Sequence, residues 1–359
     1  MAGDPRPAAP SGGRPSARAL IGGGLAVLGA GAAASAAALA YGHLVELNRF
    51  HVRRETLPVL PPGSPDVRVL HLSDLHMIPG QRRKVDFVRG LAALEPDAVI
   101  NTGDNFSHLE SLPWLLEALD PLLDLPGAYV PGSNCYFAPK PKNPARYLWL
   151  HTGGERRRED PAAVLPFREM HAAFDSRGWR GLVNTTGELT VRGVRLDLSG
   201  VDDPHLGYDR HPGFAPAADR AAGSAADQPS GTPAGRDART SADRAGAPPS
   251  VRVGVAHAPY LRTLRRFAED GAEVVFAGHT HGGQICLPGG RALVSNCDLP
   301  PSRAKGVSHD EGVPVQISAG LGTSRFAPVR LFCPPEAVLV TLTARPSDES
   351  APSRSHPSR

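Results

Sequence analysis

Val67-Arg68-Val69-Leu70-His71-Leu72-Ser73-Asp74-Leu75-His76 is the stretch on which the reading of this chain turns. Its first six residues, mostly apolar and β-branched, read as a strand. The run then breaks into Asp-x-His, a spacing that puts a carboxylate and an imidazole on one side of an extended segment. The same grammar recurs. Ala98-Val99-Ile100 precedes Thr102-Gly103-Asp104-Asn105, and Ala128-Tyr129-Val130 precedes Gly132-Ser133-Asn134. Val251–Val255 precedes Ala256-His257-Ala258, and Val274–Phe276 precedes Gly278-His279-Thr280-His281.

Between these runs lie helical patterns, through Val85, Val88, Leu91 and Leu94 and again around Trp114–Leu123. Strand and helix in alternation indicate an α/β fold with parallel strands. Leu189–Leu198 reads as a hairpin turning at Arg192-Gly193, and further strands fit Ala292–Val294, Val315–Ile317 and Val338–Leu342. In α/β sheets the loops at the carboxyl ends of strands gather into one crevice, so the clusters converge there. Asp74, His76, Asp104, Asn134, His257, His279 and His281 then offer two carboxylates, four imidazoles and an amide. That donor set suits two divalent metal ions sharing a carboxylate, with mixed N/O ligation favouring manganese, iron or zinc. Glycines at 103, 132, 278, 282 and 283 fit loops whose backbone passes close to ions.

As an ordered series, D-x-H, G-D, G-x-N, a lone His and G-H-x-H, the chain resembles the calcineurin-like metallophosphoesterase superfamily over about residues 66–343. Gly200-Val201-Asp202-Asp203-Pro204-His205, Gly278–Gln284 and Gly320-Leu321-Gly322-Thr323-Ser324 resemble its membrane-associated bacterial branch. The resemblance implies two facing mixed β-sheets flanked by helices, a four-layer sandwich. It implies one metal on Asp74, His76, Asp104 and His281, another on Asp104, Asn134, His257 and His279, and Asp104 bridging. Asp104, Asn134 and His281 are the members also expected to act in the catalytic step. The implied reaction is hydrolysis of a phosphate ester or pyrophosphate by a metal-bridging hydroxide. One departure stands out. The family writes Gly-Asn-His-Asp/Glu, whereas this chain writes Gly132-Ser133-Asn134-Cys135-Tyr136. With Ser133 as an insertion Asn134 remains a ligand and Cys135 takes the place of the family's proton-donating histidine. A thiol is a poor acid at neutral pH, so His108, His205 or Tyr136 would have to help.

Other polar residues have plainer readings. His71, inside the first strand, is structural, and Asn105 forms its loop. Asp202, Asp203 and His205 either line a cleft or make a turn around Pro204. Trp114, Trp149 and Trp179 are too far apart for a stacking platform.

The bulk numbers set bounds. The 359 residues are 41% apolar, enough for one large core. The net charge of +3 and short basic runs such as Arg156-Arg157-Arg158 read as solvated surface, and no nucleic acid binding is expected. The 4 cysteines, Cys135, Cys286, Cys297 and Cys333, form no C-x-x-C pair. Cys286 and Cys297 flank a turn and pair, or all four stay thiols. Residues 1–18 read as disordered, 19–42 as a membrane anchor, 60–343 as the catalytic domain with a disordered insertion at 211–250, and 344–359 as a disordered tail. Leu20 to Tyr41 carries no charge, and a helix of that length rises about 30 Å, a bilayer core. A signal peptide cleaved near Ala38-Leu39-Ala40 and a soluble Ala-rich helix are the rivals. Arg6, Arg14 and Arg18 before the run nearly balance Arg49, Arg53 and Arg54 after it, so orientation and membrane side stay open. An anchor beside the domain suggests a lipid-linked phosphate. A soluble nucleotide phosphodiesterase with the same site, and a metal-stabilised scaffold, are the alternatives.

Overall fold

The computed structural model describes residues 17–139, 164–215 and 248–346, with side chains from residue 30 onward. Residues 1–16, 216–247 and 347–359, most of the three stretches read as disordered, lie outside it, as do Trp149 and Arg156–Arg158.

In chain order, helix α1 (Ala17–Leu44) leads to β1 (His51–Leu60) and β2 (Val67–Leu72), then α2 (Arg82–Gly90) and β3 (Ala98–Asn101). Next come α3 (Leu112–Leu119), β4 (Gly127–Tyr129), the single turn α4 (Ser133–Tyr136), α5 (Phe167–Ser176) and β5 (Arg180–Gly181). The second half holds β6 (Thr185–Val191), β7 (Val194–Gly200), β8 (Ser250–Val255), α6 (Leu261–Glu269) and β9 (Val274–Ala277). A small ribbon of β10 (Cys286–Leu287) and β11 (Arg291–Ala292) precedes β12 (Gly306–Asp310), β13 (Val313–Ile317) and β14 (Glu336–Ala344).

Two six-stranded sheets result, ordered β1-β14-β2-β3-β4-β5 and β12-β13-β9-β8-β7-β6. Strands β2 to β5 run parallel, with β14 antiparallel to β2 and parallel to β1. In the other sheet β7, β8, β9 and β13 run parallel, and antiparallel β6 and β12 close the edges. Both sheets are mixed, as expected.

Side-chain alternation explains the layering. Val67 and Val69 face inward and join Ile100, Leu198, Val253, Phe276, Val340 and Leu342 in the core between the sheets. Leu70, Leu72 and Val99 point the other way and pack on Val85 and Val88 of α2, Leu115 of α3 and Phe174 of α5. Val275 and Ile317 do the same for α6 through Leu264 and Phe267. The hairpin turns at Arg192 (φ 51°) and Gly193 (φ 77°), the pair of left-handed residues a tight hairpin needs.

Two expectations change. The first sheet begins before the boundary placed at residue 60: β1 pairs along β14, and Arg53 grips buried Glu336 through Nε and Nη2, each at 3.1 Å. The strand expected at Ala292–Val294 is only the two-residue β11. Separately, across the stretch 19–42 read as an anchor and elsewhere, no helix among the described residues is long and apolar enough to cross a membrane. Helix α1 has a docked carboxyl end: His43 Nδ1 lies 2.7 Å from Pro328 O, and Arg330 N donates to Gly42 O at 3.3 Å. A Cβ on Gly42 would come 2.6 Å from Arg330 O, so only glycine lets the segments approach this closely.

Candidate metal centre

Every predicted ligand lies just past the carboxyl end of a strand, and the loops lock together through backbone bonds. Asp74 N donates to Gly103 O at 2.8 Å and His76 N to Asp104 O at 2.9 Å, continuing the β2–β3 pairing as a distorted zipper. Gly278 N bonds His257 O at 2.8 Å, and Gly322 N bonds Asp74 O at 2.6 Å. Asp74, His76, Asp104, His279 and His281 all take positive φ, at 50°, 41°, 52°, 70° and 50°. Each such non-glycine residue costs on the order of 1 kcal/mol and persists only where its surroundings over-determine it. Glycine supplies that support. A Cβ at Gly278 would sit 2.5 Å from Asp74 Oδ2, and one at Gly322 2.6 Å from His76 Cβ.

Asp104 lies at the middle. Its Oδ2 is 3.5 Å from His76 Nε2 and its Oδ1 is 3.4 Å from His257 Nε2. On one side, His281 Nε2 is 3.2 Å from His76 Nε2 and 3.6 Å from Asp74 Oδ1. On the other, His279 Nδ1 is 3.3 Å from His257 Nε2. Asn134 donates to Asp104 from its backbone N and from Nδ2, both at 2.7 Å. The seven residues named from the sequence thus meet. Single donor atoms of Asp74, His76 and His281 lie within 4.8 Å of one another, and so do those of Asp74, Asp104 and His257. Three donors so spaced fit around a cation at about 2.0–2.2 Å from each.

The chemistry of these atoms also fits a cation. Asp74 Oδ1 and His281 Nδ1 are buried and have no hydrogen-bond partner. An orphaned carboxylate oxygen is costly unless positive charge meets it. Burial pushes the Asp74 carboxyl up to about 6, while Asp104, against the same burial, is held well below the usual carboxylate range by His257 and His76. Burial lowers His76 to about 4 and takes His279 and His281 well below 6.5, leaving neutral rings with lone pairs. Burial also opposes charge on His257, but Asp104, Asp74 and Asp203 outweigh it and lift this ring to about 10. The carboxylates around this ring thus favour positive charge at the centre. Ring orientation is set from behind: Thr102 O lies 2.7 Å from His257 Nδ1, and Ser107 Oγ 3.0 Å from His76 Nδ1. Such partners fix which nitrogen faces a metal.

Cys135 does not take the histidine's place. The turn of α4 directs Asn134 to Asp104 but buries Cys135 in the core beside Met170 and Phe174, where burial raises the thiol to about 12. Tyr136 donates to Asp202 Oδ1 at 2.8 Å, and His108 Nδ1 accepts from Glu110 N at 3.2 Å. His205 does reach the centre, its ring centroid 4.5 Å from that of His279. Asp203, read from sequence as cleft or turn, is buried, with burial raising it to about 7. His71 is structural, 3.0 Å from Thr102 Oγ1, and Asn105 accepts from Asn101 Nδ2 at 2.9 Å behind the site. All four cysteines are free and buried, and Cys286 packs with Cys333 rather than Cys297.

Two residues escaped the sequence reading. Asn296 meets His279 Nε2 through both its carbonyl and its Nδ2, each at 3.1 Å. Buried Arg330 donates to Gly322 O, Ala319 O, Gly320 O and Cys333 O, holding the loop behind Asp74 and His76. No motif announces either one.

A model of the family described as calcineurin-like phosphoesterase matches residues 67–283. No curated protein matches the chain. Among solved structures, TT1561 of Thermus thermophilus is similar at 12% identity and a TM-score of 0.34, over 72% of this chain and 91% of that one. Purple acid phosphatase PPD1 from seeds of yellow lupin (Lupinus luteus) is similar at 12% identity and a TM-score of 0.33, over 62% of this chain and 39% of that one. Similarities this faint bear on neither fold nor chemistry.

Proposed function

Since the chain belongs to the calcineurin-like phosphoesterase family and is a metal-dependent phosphoric ester hydrolase, we propose that its seven converging residues hold two divalent cations. Asp74, His76, Asp104 and His281 form one set and Asp104, Asn134, His257 and His279 the other, with manganese, iron or zinc as occupants. The observation that carries this reading is Asp104, whose two oxygens each lie about one ligand spacing from a different histidine, 3.5 Å from His76 and 3.4 Å from His257. Cations bound there supply a polarised water and neutralise the phosphoryl oxygens. The chain's own part is to keep His76, His279 and His281 neutral, to hold the rings still through Ser107, Thr102 and Asn296, and to exclude bulk water by burial. With Cys135 facing the core, His205 at the rim beside His279 is the proton donor we assign to the leaving oxygen.

Assays on an aryl phosphate and an aryl phosphodiester with added manganese, beside Asp104→Asn, test the reading. Turnover by the parent and none by the variant is expected. Metal retained with no turnover on any ester would sink it.

The finer proposal is a membrane-anchored enzyme acting on a lipid-linked phosphate. Its support is the uncharged run from Leu20 to Tyr41 and the seating of α1 on Pro328–Arg330 near the centre. Fractionation of the full chain with membranes, and turnover of lipid phosphates in detergent, test it. Efficient cleavage of nucleotides with none of lipid phosphates would end it in favour of a soluble-nucleotide phosphodiesterase.

A further inference from the structure

A cavity of about 490 Å³ opens beside His76, between the start of α2, the segment after α1 and residues 323–328. Arg82, Arg83, Lys84 and Arg325 line it, and among the described residues no Asp or Glu does. Arg82 is engaged, giving Nη2 to both oxygens of Glu117 at 3.0 Å. Lys84 Nζ donates to Leu75 O at 2.7 Å. Arg83 and Arg325 are exposed and have no carboxylate partner among the described residues. Arg325 is linked to the metal centre through Ser107: its Nη1 donates to Ser107 O at 3.3 Å, and Ser107 Oγ is 3.0 Å from His76 Nδ1.

The placement of these cations runs against local helix preference. Arg82, Arg83 and Lys84 occupy the first turn of α2, where the macrodipole is already positive; the turn itself holds no acidic residue, and Glu117 reaches Arg82 from α3. Burial lowers the Lys84 ammonium to about 7, which leaves Arg83 and Arg325 as the lining charges without a carboxylate partner among the described residues. Leu47, Phe50, Ile78 and Pro328 add apolar wall to the same cavity. Its volume suits a small organic ligand.

From this we infer that the cavity is a subsite for a second anionic group on the substrate, with an apolar portion beyond it, as in the diphosphate of an apolar alcohol. The inference rests on the phosphoesterase reading and names its substrate class. The terminal phosphoryl group occupies the metal centre, the inner phosphate meets Arg325 and Arg83, and the apolar part lies on Leu47 and Phe50. Water adds its hydroxyl to the terminal phosphorus as the bond to the bridging oxygen breaks. The remaining proton goes to the products, orthophosphate and the alcohol's monophosphate.

The test compares dodecyl diphosphate with dodecyl monophosphate on manganese-loaded enzyme, for the parent, for R83A combined with R325A, and for R83K combined with R325K. Two lost charge-assisted contacts are worth about tenfold or more. The alanine pair should therefore lower the diphosphate-to-monophosphate ratio of kcat/KM by at least that factor, through KM, and the lysine pair should recover most of it. A ratio that does not move overturns the inference. A second arm titrates chelator-treated protein with inorganic pyrophosphate by calorimetry, where the alanine pair should again bind about tenfold more weakly; equal binding overturns the inference. Arginine-dependent pyrophosphate binding in a protein that hydrolyses no ester supports the subsite and refutes the phosphoesterase reading instead.

Discussion

The space between the sheets and the rim where their parallel strands end are built from opposite materials. Between the sheets, apolar side chains alternate regularly and the strands keep their register, as where Leu342 pairs with Val67. At the rim, five of the proposed ligands sit in left-handed backbone and two polar atoms of the centre have no partner. A regular core gains stability from burial, whereas the rim spends some of it to aim donor atoms at one place. Substitutions in the two regions should therefore fail differently.

Asp104→Asn should show the largest effect. It removes charge shared by both halves of the centre, and activity should fall about 10³-fold or more while circular dichroism stays native. Retained activity would break the contrast at its most important residue. Gly132→Ala comes next, because the new Cβ would press on Asp104 Oδ1 and come 2.7 Å from His257 Cδ2. Metal affinity, read by equilibrium dialysis, should weaken about 10–100-fold, with secondary structure intact. Leu342→Ala tests the other region. It should cost about 2–5 kcal/mol in urea unfolding yet leave kcat per folded molecule unchanged. If kcat falls as well, core and rim are not separable. Smallest is Arg192→Gly, in a hairpin turn with φ 51° and no part in the centre. Relief of its strain should stabilise the chain by up to about 1 kcal/mol, with activity untouched. No gain there would mean that left-handed backbone in this protein is cheaper than the rim comparison assumes.

Much of this was legible in the sequence because ligand identity and strand ends coincide. The apolar run through Leu72 sets both the direction of β2 and the place where Asp74 and His76 emerge. What was not legible depends on groups that behave against type. Strand β1 carries Arg53, Arg54 and Glu55, a polar text whose partner, buried Glu336, lies far along the chain. Arg330 reads as a solvated charge, yet it is buried among backbone carbonyls. Cys135 follows Asn134 by one residue, and a single helical turn sends the two side chains to opposite sides, which linear spacing cannot convey.

The close seating of Gly42 on Arg330 has a mechanical consequence. With no side chain between them, the end of α1 lies directly against the strap that carries Arg325 and Pro328. Any surface gripping the earlier turns of that helix would hold the catalytic mouth at one fixed tilt, like a tool clamped by its handle. A bulkier residue at position 42 would loosen that clamp by pressing on Arg330 O, and through Arg330 on the loop behind Asp74 and His76.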